Sequence, residues 1–175
     1  MYAGQLEWGR WATRLVLAGA IACALVSILV SAAFAAVVSS NINVSMTIQG
    51  ECKIQATTNL AFGTDGVIDA NVDASSTFDV QCTNTTPYTV ALNAGAGAGA
   101  TTTIRKMTLT GATIDYGLYR DAARSQNWGN TVATDTAAGT GTGAVQQSTI
   151  YGRVPPQTTP APGLYQDTIQ ISVTY

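Results

Sequence analysis

The chain contains no histidine. That absence removes Ser-His-Asp and Cys-His nucleophilic arrangements and any histidine-ligated zinc or copper site. Charge is scarce as well: Lys, Arg, Asp and Glu make up only 10% of the residues, so solubility must rest on the plentiful Thr, Ser, Asn and Gln. The basic residues Lys53, Arg105, Lys106, Arg120, Arg124 and Arg153 are scattered along the sequence. Nucleic-acid binding needs clustered positive charge, and no cluster is present. Beyond residue 35 no stretch sustains a 3.6-residue hydrophobic period, so essentially no helix is expected.

The chemistry that remains is thin. Asp115, Asp121, Asp135 and Asp167 contain enough carboxylates for a glycosidase-type pair, yet each reads more simply as a turn, cap or solvated strand residue. The Gly-Ala run at 94–100 lacks the Lys-Ser/Thr and the helix that a phosphate-binding loop requires, and it reads as a flexible loop rather than a silk-like segment. Trp128 and Tyr119 could stack on a sugar, but core packing or loop anchoring explains each more simply. No cofactor is expected and the chain is not read as an enzyme.

What is present begins with a leader. Arg10 and Arg14 precede an unbroken apolar or small-residue run from Leu15 to Phe34, and Ala33-Phe34-Ala35 is an A-x-A cleavage site, so residues 1–35 read as a secretory signal peptide cut between Ala35 and Ala36. A retained membrane anchor is the rival reading, because the run is about the 20 residues needed to span a bilayer, although no stop-transfer charge follows it. A lipid anchor on Cys23 fits poorly, since Ala20-Ile21-Ala22 is a weak lipobox. Cleavage removes Cys23 and leaves Cys52 and Cys82, an even pair in an exported chain and hence an expected disulfide. It would close a loop of about 31 residues, worth about 3 to 4 kcal/mol; two free thiols holding a metal are the alternative. Without Glu7, Arg10 and Arg14 the balance is six basic against nine acidic side chains.

The rest of the chain alternates. Ile42, Val44, Met46 and Ile48 are spaced by polar residues in the segment 37–49. Leu60 and Phe62 mark a short strand ended by Gly63. Phe78, Val80 and Cys82 share one face of the next, and Tyr88 to Leu92 follows after a turn, expected to pair with its predecessor as a hairpin. Ile104 to Leu109 and Ile114 to Tyr119 are two further strands, Asp121 to Gly143 reads as a long loop, and Val145 to Gly152 is extended again. Pro155, Pro156, Pro160 and Pro162 then forbid helix and central strand. The final eleven residues place Tyr165, Ile169, Ile171, Val173 and Tyr175 on one face, a half-buried strand expected in the middle of a sheet.

Seven or so short strands with turn signals at about ten-residue intervals point to an all-β immunoglobulin-type sandwich. No strand follows Tyr175, so the sandwich is expected to lack its last strand. One end of the chain looks like a donor and the other like an acceptor.

The segments Tyr116-Gly-Leu-Tyr-Arg-Asp-Ala-Ala-Arg124 and Gly163-Leu-Tyr-Gln-Asp-Thr-Ile-Gln-Ile-Ser-Val-Thr-Tyr175, with Cys52, Phe62-Gly63 and Cys82, resemble the spore coat protein U group, which includes subunits of archaic, Csu-like chaperone–usher pili. The resemblance covers the whole chain after the leader. It implies an incomplete six-stranded immunoglobulin-like domain, a Cys52–Cys82 disulfide and an N-terminal segment that completes a neighbouring subunit by donor-strand exchange. It also implies a periplasmic chaperone and an outer-membrane usher as partners, alongside identical or related pilin subunits, with export through the periplasm to the cell surface. On that reading residues 1–35 are the signal, 36–50 the donor segment and 51–175 the pilin domain. Ile42, Val44, Met46 and Ile48 would be the donated side chains, and Ile169, Ile171, Val173 and Tyr175 would line the acceptor groove.

The leading functional expectation is therefore a structural pilin polymerising into an adhesive, biofilm-forming fibre. A tip adhesin or secreted lectin-like module, and a spore or cell coat component, are the alternatives. A fold in which residues 37–49 return to their own domain is the bland one. Only Gln49, Gly50 and Glu51 separate Ile48 from Cys52, which favours donation to another copy. Intact-mass measurement of exported protein is expected to give a chain beginning at Ala36 whose two cysteines take up no thiol label without reductant. A mass retaining residues 1–35, or two labelled thiols, contradicts this.

Overall fold

A computed structural model describes residues 35–175; the expected signal peptide, apart from Ala35, lies outside the described residues. Eight strands follow one another: β1 (Cys52–Thr57), β2 (Val72–Cys82), β3 (Pro87–Leu92), β4 (Arg105–Leu109), β5 (Ala112–Tyr119), β6 (Ala137–Thr140), β7 (Val145–Val154) and β8 (Ile171–Thr174). No helix occurs among the described residues. Residues 46–175 form one compact unit.

The strands make two sheets, one in the order β1-β2-β7-β5-β4 and one in the order β6-β3-β8. In the constant-type immunoglobulin sandwich, strands A, B, E and D share one sheet and C, F and G the other. Here β1, β2, β7 and β5 occupy the A, B, E and D places, and β3 and β8 those of C and F. No strand among the described residues takes the place of G.

Alternation explains why the sheets face each other. Phe78, Val80 and Cys82 on β2 and Tyr88, Val90 and Leu92 on β3 are all buried, while their intervening neighbours are more exposed. Two strands with such faces bury more apolar surface face to face than side by side. The expected β2–β3 hairpin is accordingly replaced by a crossing between sheets at Thr83–Thr86, where Thr86 N–H donates to the Thr83 carbonyl over 3.1 Å. β2 pairs instead with β7 along ten positions, from Val72↔Val154 to Gln81↔Val145. A true hairpin joins β4 and β5. Its two loop residues, Thr110 (φ 47°) and Gly111 (φ 87°), both have positive φ, as the twist-matched two-residue turn requires.

Two further expectations change. Leu60 and Phe62 are not on a strand; they lie over Gly152 of β7, where a Cβ would come within 2.9 Å of Phe62 and 3.0 Å of Leu60. Phe62 also meets Tyr116 edge to face, with 6.0 Å between ring centroids. These side chains plug the core, so their backbone pairs with nothing. The loop expected over 121–143 contains β6, whose Ala-Ala-Gly-Thr sequence has no large side chain to alternate. Gly139 is needed there because Tyr88 lies against it, 2.5 Å from where a Cβ would sit.

Trp128 anchors that loop from inside the core. Its Nε1 donates to the Val90 carbonyl (3.0 Å) and its ring tilts against Phe78 at 5.7 Å, which removes it from any sugar-stacking surface. Arg105 is buried completely. Its guanidinium donates to four main-chain carbonyls: Asn93 (2.8 Å), Thr102 (2.6 Å), Trp128 (2.7 Å) and Leu92 (3.3 Å). Burial pulls its pKa down, and the surrounding Tyr116, Asp167 and Asp135 oppose that. A planar five-donor fork can bridge the end of β3, the loop after it and the Trp128 loop at once; a lysine ammonium cannot. Arg105→Lys is expected to cost about 3 kcal/mol or more in unfolding free energy, read from chemical denaturation, and a loss near zero would show that the clamp is dispensable.

Candidate functional site

The feature that distinguishes this sandwich is its open side. Among the described residues the larger sheet ends at β1 and the smaller at β8, each with one neighbour only, and these two edge strands approach one another. An unpaired edge presents a row of free N–H and C=O groups. Lys53 to Thr57 are all exposed, including the apolar Ile54. On β8, half-buried Ile171 and Val173 alternate with exposed Ser172 and Thr174. Ile169, Ile171 and Val173 pack against the core from this open side, so three of the four expected acceptor residues lie on the inner face. Tyr175 is 59% exposed.

The terminal strand differs from expectation in length and place. It spans only Ile171–Thr174 and lies at a sheet edge rather than in the middle. Residues before it are held by other contacts: Gln166 pairs with Thr108 of β4, and Gln170 with Asn93. The chain thus crosses from one sheet to the other there and cannot continue a single strand.

The segment of the expected donor forms no strand. Ile42, Val44 and Met46 are each at least 85% exposed, and Ile48 is 68% exposed. A row of four large apolar side chains in water is unusual for a soluble chain. The linker after it is anchored where β1 begins: Glu51 N–H donates to Thr83 Oγ1 (3.1 Å) and the Glu51 carbonyl accepts from Thr83 N–H (2.9 Å). Beside that point Cys52 and Cys82 are joined by a disulfide, which ties the first residue of β1 to the last of β2.

The carboxylates singled out by sequence are not gathered. Asp115 pairs with Lys106 at 2.6 Å. Asp121 accepts the N–H groups of Gln126 (2.8 Å) and Ser125, and the Gln126 bond first of all holds its carboxyl below the usual range. Asp135 accepts from Thr131 N–H (2.7 Å). Asp167 accepts from the Tyr116 hydroxyl (2.7 Å) and from Ala96 N–H (2.7 Å); burial, then the Asp167 bond, drives the Tyr116 phenol far above its ordinary pKa. Each is a structural cap or anchor. No group of three or more potential metal ligands occurs among the described residues.

Sequence reasoning missed the outer face of the larger sheet, where Asp73 is held by bonds from Arg153 Nε and Nη2 (2.7 and 2.8 Å) and lies 3.1 Å from Arg124. The Arg153 bond is the main reason that the Asp73 pKa is lowered. A depressed carboxylate stabilises the fold at pH values above the ordinary aspartate range, and that contribution is lost as pH falls through it toward the folded pKa. Wild type is therefore expected to lose stability relative to Asp73→Asn below about pH 4. The difference at pH 7 should be about 1 kcal/mol or less, because the pair is partly exposed. Parallel thermal melts at pH 7 and pH 3 check this, and a gap that widens on acidification contradicts it.

An immunoglobulin-type sandwich with an open side is the class this geometry defines. The family model for the Spore Coat Protein U domain matches residues 38–172, and the chain belongs to that family. It is 29% identical over 160 residues to Protein U of Myxococcus xanthus, covering 83% of this chain and 89% of that one. Its fold is also similar to a chain in the crystal structure of the CsuC–CsuE chaperone–tip adhesion subunit pre-assembly complex, from archaic chaperone–usher Csu pili of Acinetobacter baumannii. That match has a TM-score of 0.52 at 24% identity, and it covers 74% of this chain and 40% of that one.

Proposed function

We propose that this protein is a structural pilin subunit whose open side is filled by residues 36–50 of a second copy, so that copies polymerise into a cell-surface fibre for adhesion and biofilm formation. The observation that carries this reading is the coexistence, in one chain, of two adjacent unpaired edges at β1 and β8 and a row of exposed alternating apolar residues at Ile42, Val44, Met46 and Ile48. Burying four such side chains is worth about 6 to 12 kcal/mol before ordering costs, and ladder hydrogen bonds add to it.

The strand directions support a linear fibre. Cys52 pairs with Cys82, and Thr174 of β8 pairs with Thr89 just beyond the turn that follows Cys82. The start of β1 and the end of β8 therefore share one end of the sandwich, and the linker to the donor segment leaves from that end. A donor taking the place of strand G runs antiparallel to β8. Its own domain then lies at the opposite end of the acceptor, a head-to-tail contact that does not close.

Before a second copy arrives, the exposed edge is an aggregation hazard. A periplasmic chaperone that lends a strand, and an outer-membrane usher that exchanges it, answer that need, in keeping with the chaperone in the complex of similar fold. Export follows from the leader, residues 1–35. A coat component built by the same strand donation is the second reading, favoured by the spore coat description of the family and the identity to Protein U.

A charge on the donated face separates donation from alternatives. Val44→Asp or Met46→Asp would bring a carboxylate into an apolar groove at a cost of several kcal/mol, while Ser45→Asp and Thr47→Asp would leave theirs in solvent. The first pair is expected to yield subunits that the chaperone still captures but that form no fibres, visible as loss of heat-sensitive multimers on gels. The second pair should assemble nearly normally. Normal fibres with Asp at 44 and 46, or failure of chaperone capture, would remove residues 36–50 from the donor role.

A further inference from the structure

Among the described residues β8 has a neighbour on one side only, and it is four residues long. A strand in that position frays unless something other than its ladder holds it. The segment that delivers the chain to β8 is fastened at three successive points. Gln166 bonds to Thr108 of β4 in both directions, at 2.9 and 3.3 Å. Asp167 Oδ2 accepts from the hydroxyl of buried Tyr116 on β5, and its Oδ1 accepts from Ala96 N–H and Thr168 N–H, each over 2.7 Å. Asn93 Oδ1, at the end of β3, accepts from Gln170 N–H (2.9 Å) and Gly95 N–H (3.1 Å), while Asn93 N–H donates to the Gln170 carbonyl (3.2 Å).

The Gly-Ala loop is part of this fastening rather than a free flexible segment. A Cβ on Gly95 would come within 2.1 Å of Asp167 Oδ2, and one on Gly97 within 2.4 Å of the Lys106 carbonyl. Only glycine lets the loop backbone approach Asp167 on one side and β4 on the other. Arg105 meanwhile grips the neck of the same loop at Leu92, Asn93 and Thr102.

We propose that Asp167 is a positioning residue which, with Tyr116 and Asn93, latches residues 166–170 across the two sheets and fixes β8 as a ready edge before any partner strand binds it. The consequence for assembly rests on the reading of β8 as the acceptor strand; the latch itself does not. A fixed edge lowers the ordering cost of strand addition, because only the incoming segment must become ordered.

The test uses the exported full chain, freed of chaperone, in a Val44→Asp, Met46→Asp background, so that neither another copy nor the chaperone fills its edge. Asp167→Ala and Tyr116→Phe remove parts of the latch, and Asp167→Asn keeps an acceptor oxygen. Amide hydrogen exchange is followed across 168–174 and, as an internal control, across 76–80 and 148–152. A synthetic peptide of the unmodified sequence 36–49 is the probe for strand uptake. Asp167→Ala is expected to accelerate exchange at 168–174 by about tenfold or more, the scale of losing a charge-assisted hydrogen bond. Tyr116→Phe and Asp167→Asn should give smaller effects, and the control strands should not respond. Peptide uptake should slow in the same order.

Unchanged exchange at 168–174 in Asp167→Ala, or acceleration shared equally by β2 and β7, overturns the latch. If exchange responds locally but the parent background takes up no peptide, the latch stands and the donor-strand reading falls.

Discussion

A β-sheet edge must be paired, covered or left to water, and this sandwich treats its four edges differently. β4 is covered by the Gln166 bridge to Thr108. β6 is four residues long and built from small side chains, which leaves a partner strand little to grip. β1 is not covered, and β8, though as short as β6, carries the larger Ile171 and Val173 on its inner face; these are the two edges that approach one another. The missing pairing is thus concentrated in one cleft, where the inner face of β8 still carries half-buried Ile171 and Val173. On the proposed reading, the exposed apolar row and the fastening of residues 166–170 both bear on that cleft.

The scarcity of charge acquires a physical reason in the same frame. Arg105, Arg120 and Arg124 all donate to main-chain carbonyls, and Arg153 closes a bidentate pair with Asp73. These arginines tie loops and strands to the sheets, Arg105 from inside the core and Arg153 on the partly exposed outer face. Where sheets are few-stranded and one side is open, cross-links between loops replace some of the rigidity that a closed barrel or a full second sheet would supply. The Cys52–Cys82 bridge does likewise for β1, an edge strand whose other residues are all exposed.

Much of this was legible in the sequence wherever a strand buries one face and wets the other. β2, β4, β5 and β7 follow from alternation, whereas the one hairpin expected, between β2 and β3, lies instead between β4 and β5. The Cys52–Cys82 pairing follows from the even count beyond residue 35. What the pattern could not reveal are contacts made by single residues at long range. Ala137–Thr140 carries no alternating bulk, so β6 is invisible without Tyr88 lying over Gly139. Leu60 and Phe62 look like strand residues because a plug and a strand both use large apolar side chains. Nothing in the sequence marks Arg105 for burial, yet Arg105 is buried and Ile104 is 52% exposed, because four carbonyls converge on the guanidinium. The terminal alternation is unbroken only from Ile169 to Tyr175; Asp167 stands where an apolar residue is due, and with Asn93 it fixes the preceding residues in the crossing between sheets.

The alternating segment around Ile42–Ile48 is the instructive exception. Its pattern is as regular as that of β2, yet it adopts no strand. Periodicity states which face a segment could bury; it does not supply the sheet on which to bury it, and a strand without a neighbour has unpaired backbone groups and no apolar partner. The mirror condition holds at β8, where sheet and inner face exist but no further strand lies beside it among the described residues. Each segment lacks what the other has. In a single copy both deficits persist together, exposing apolar surface and unpaired backbone at once; the strand donation proposed above would remove them in one step.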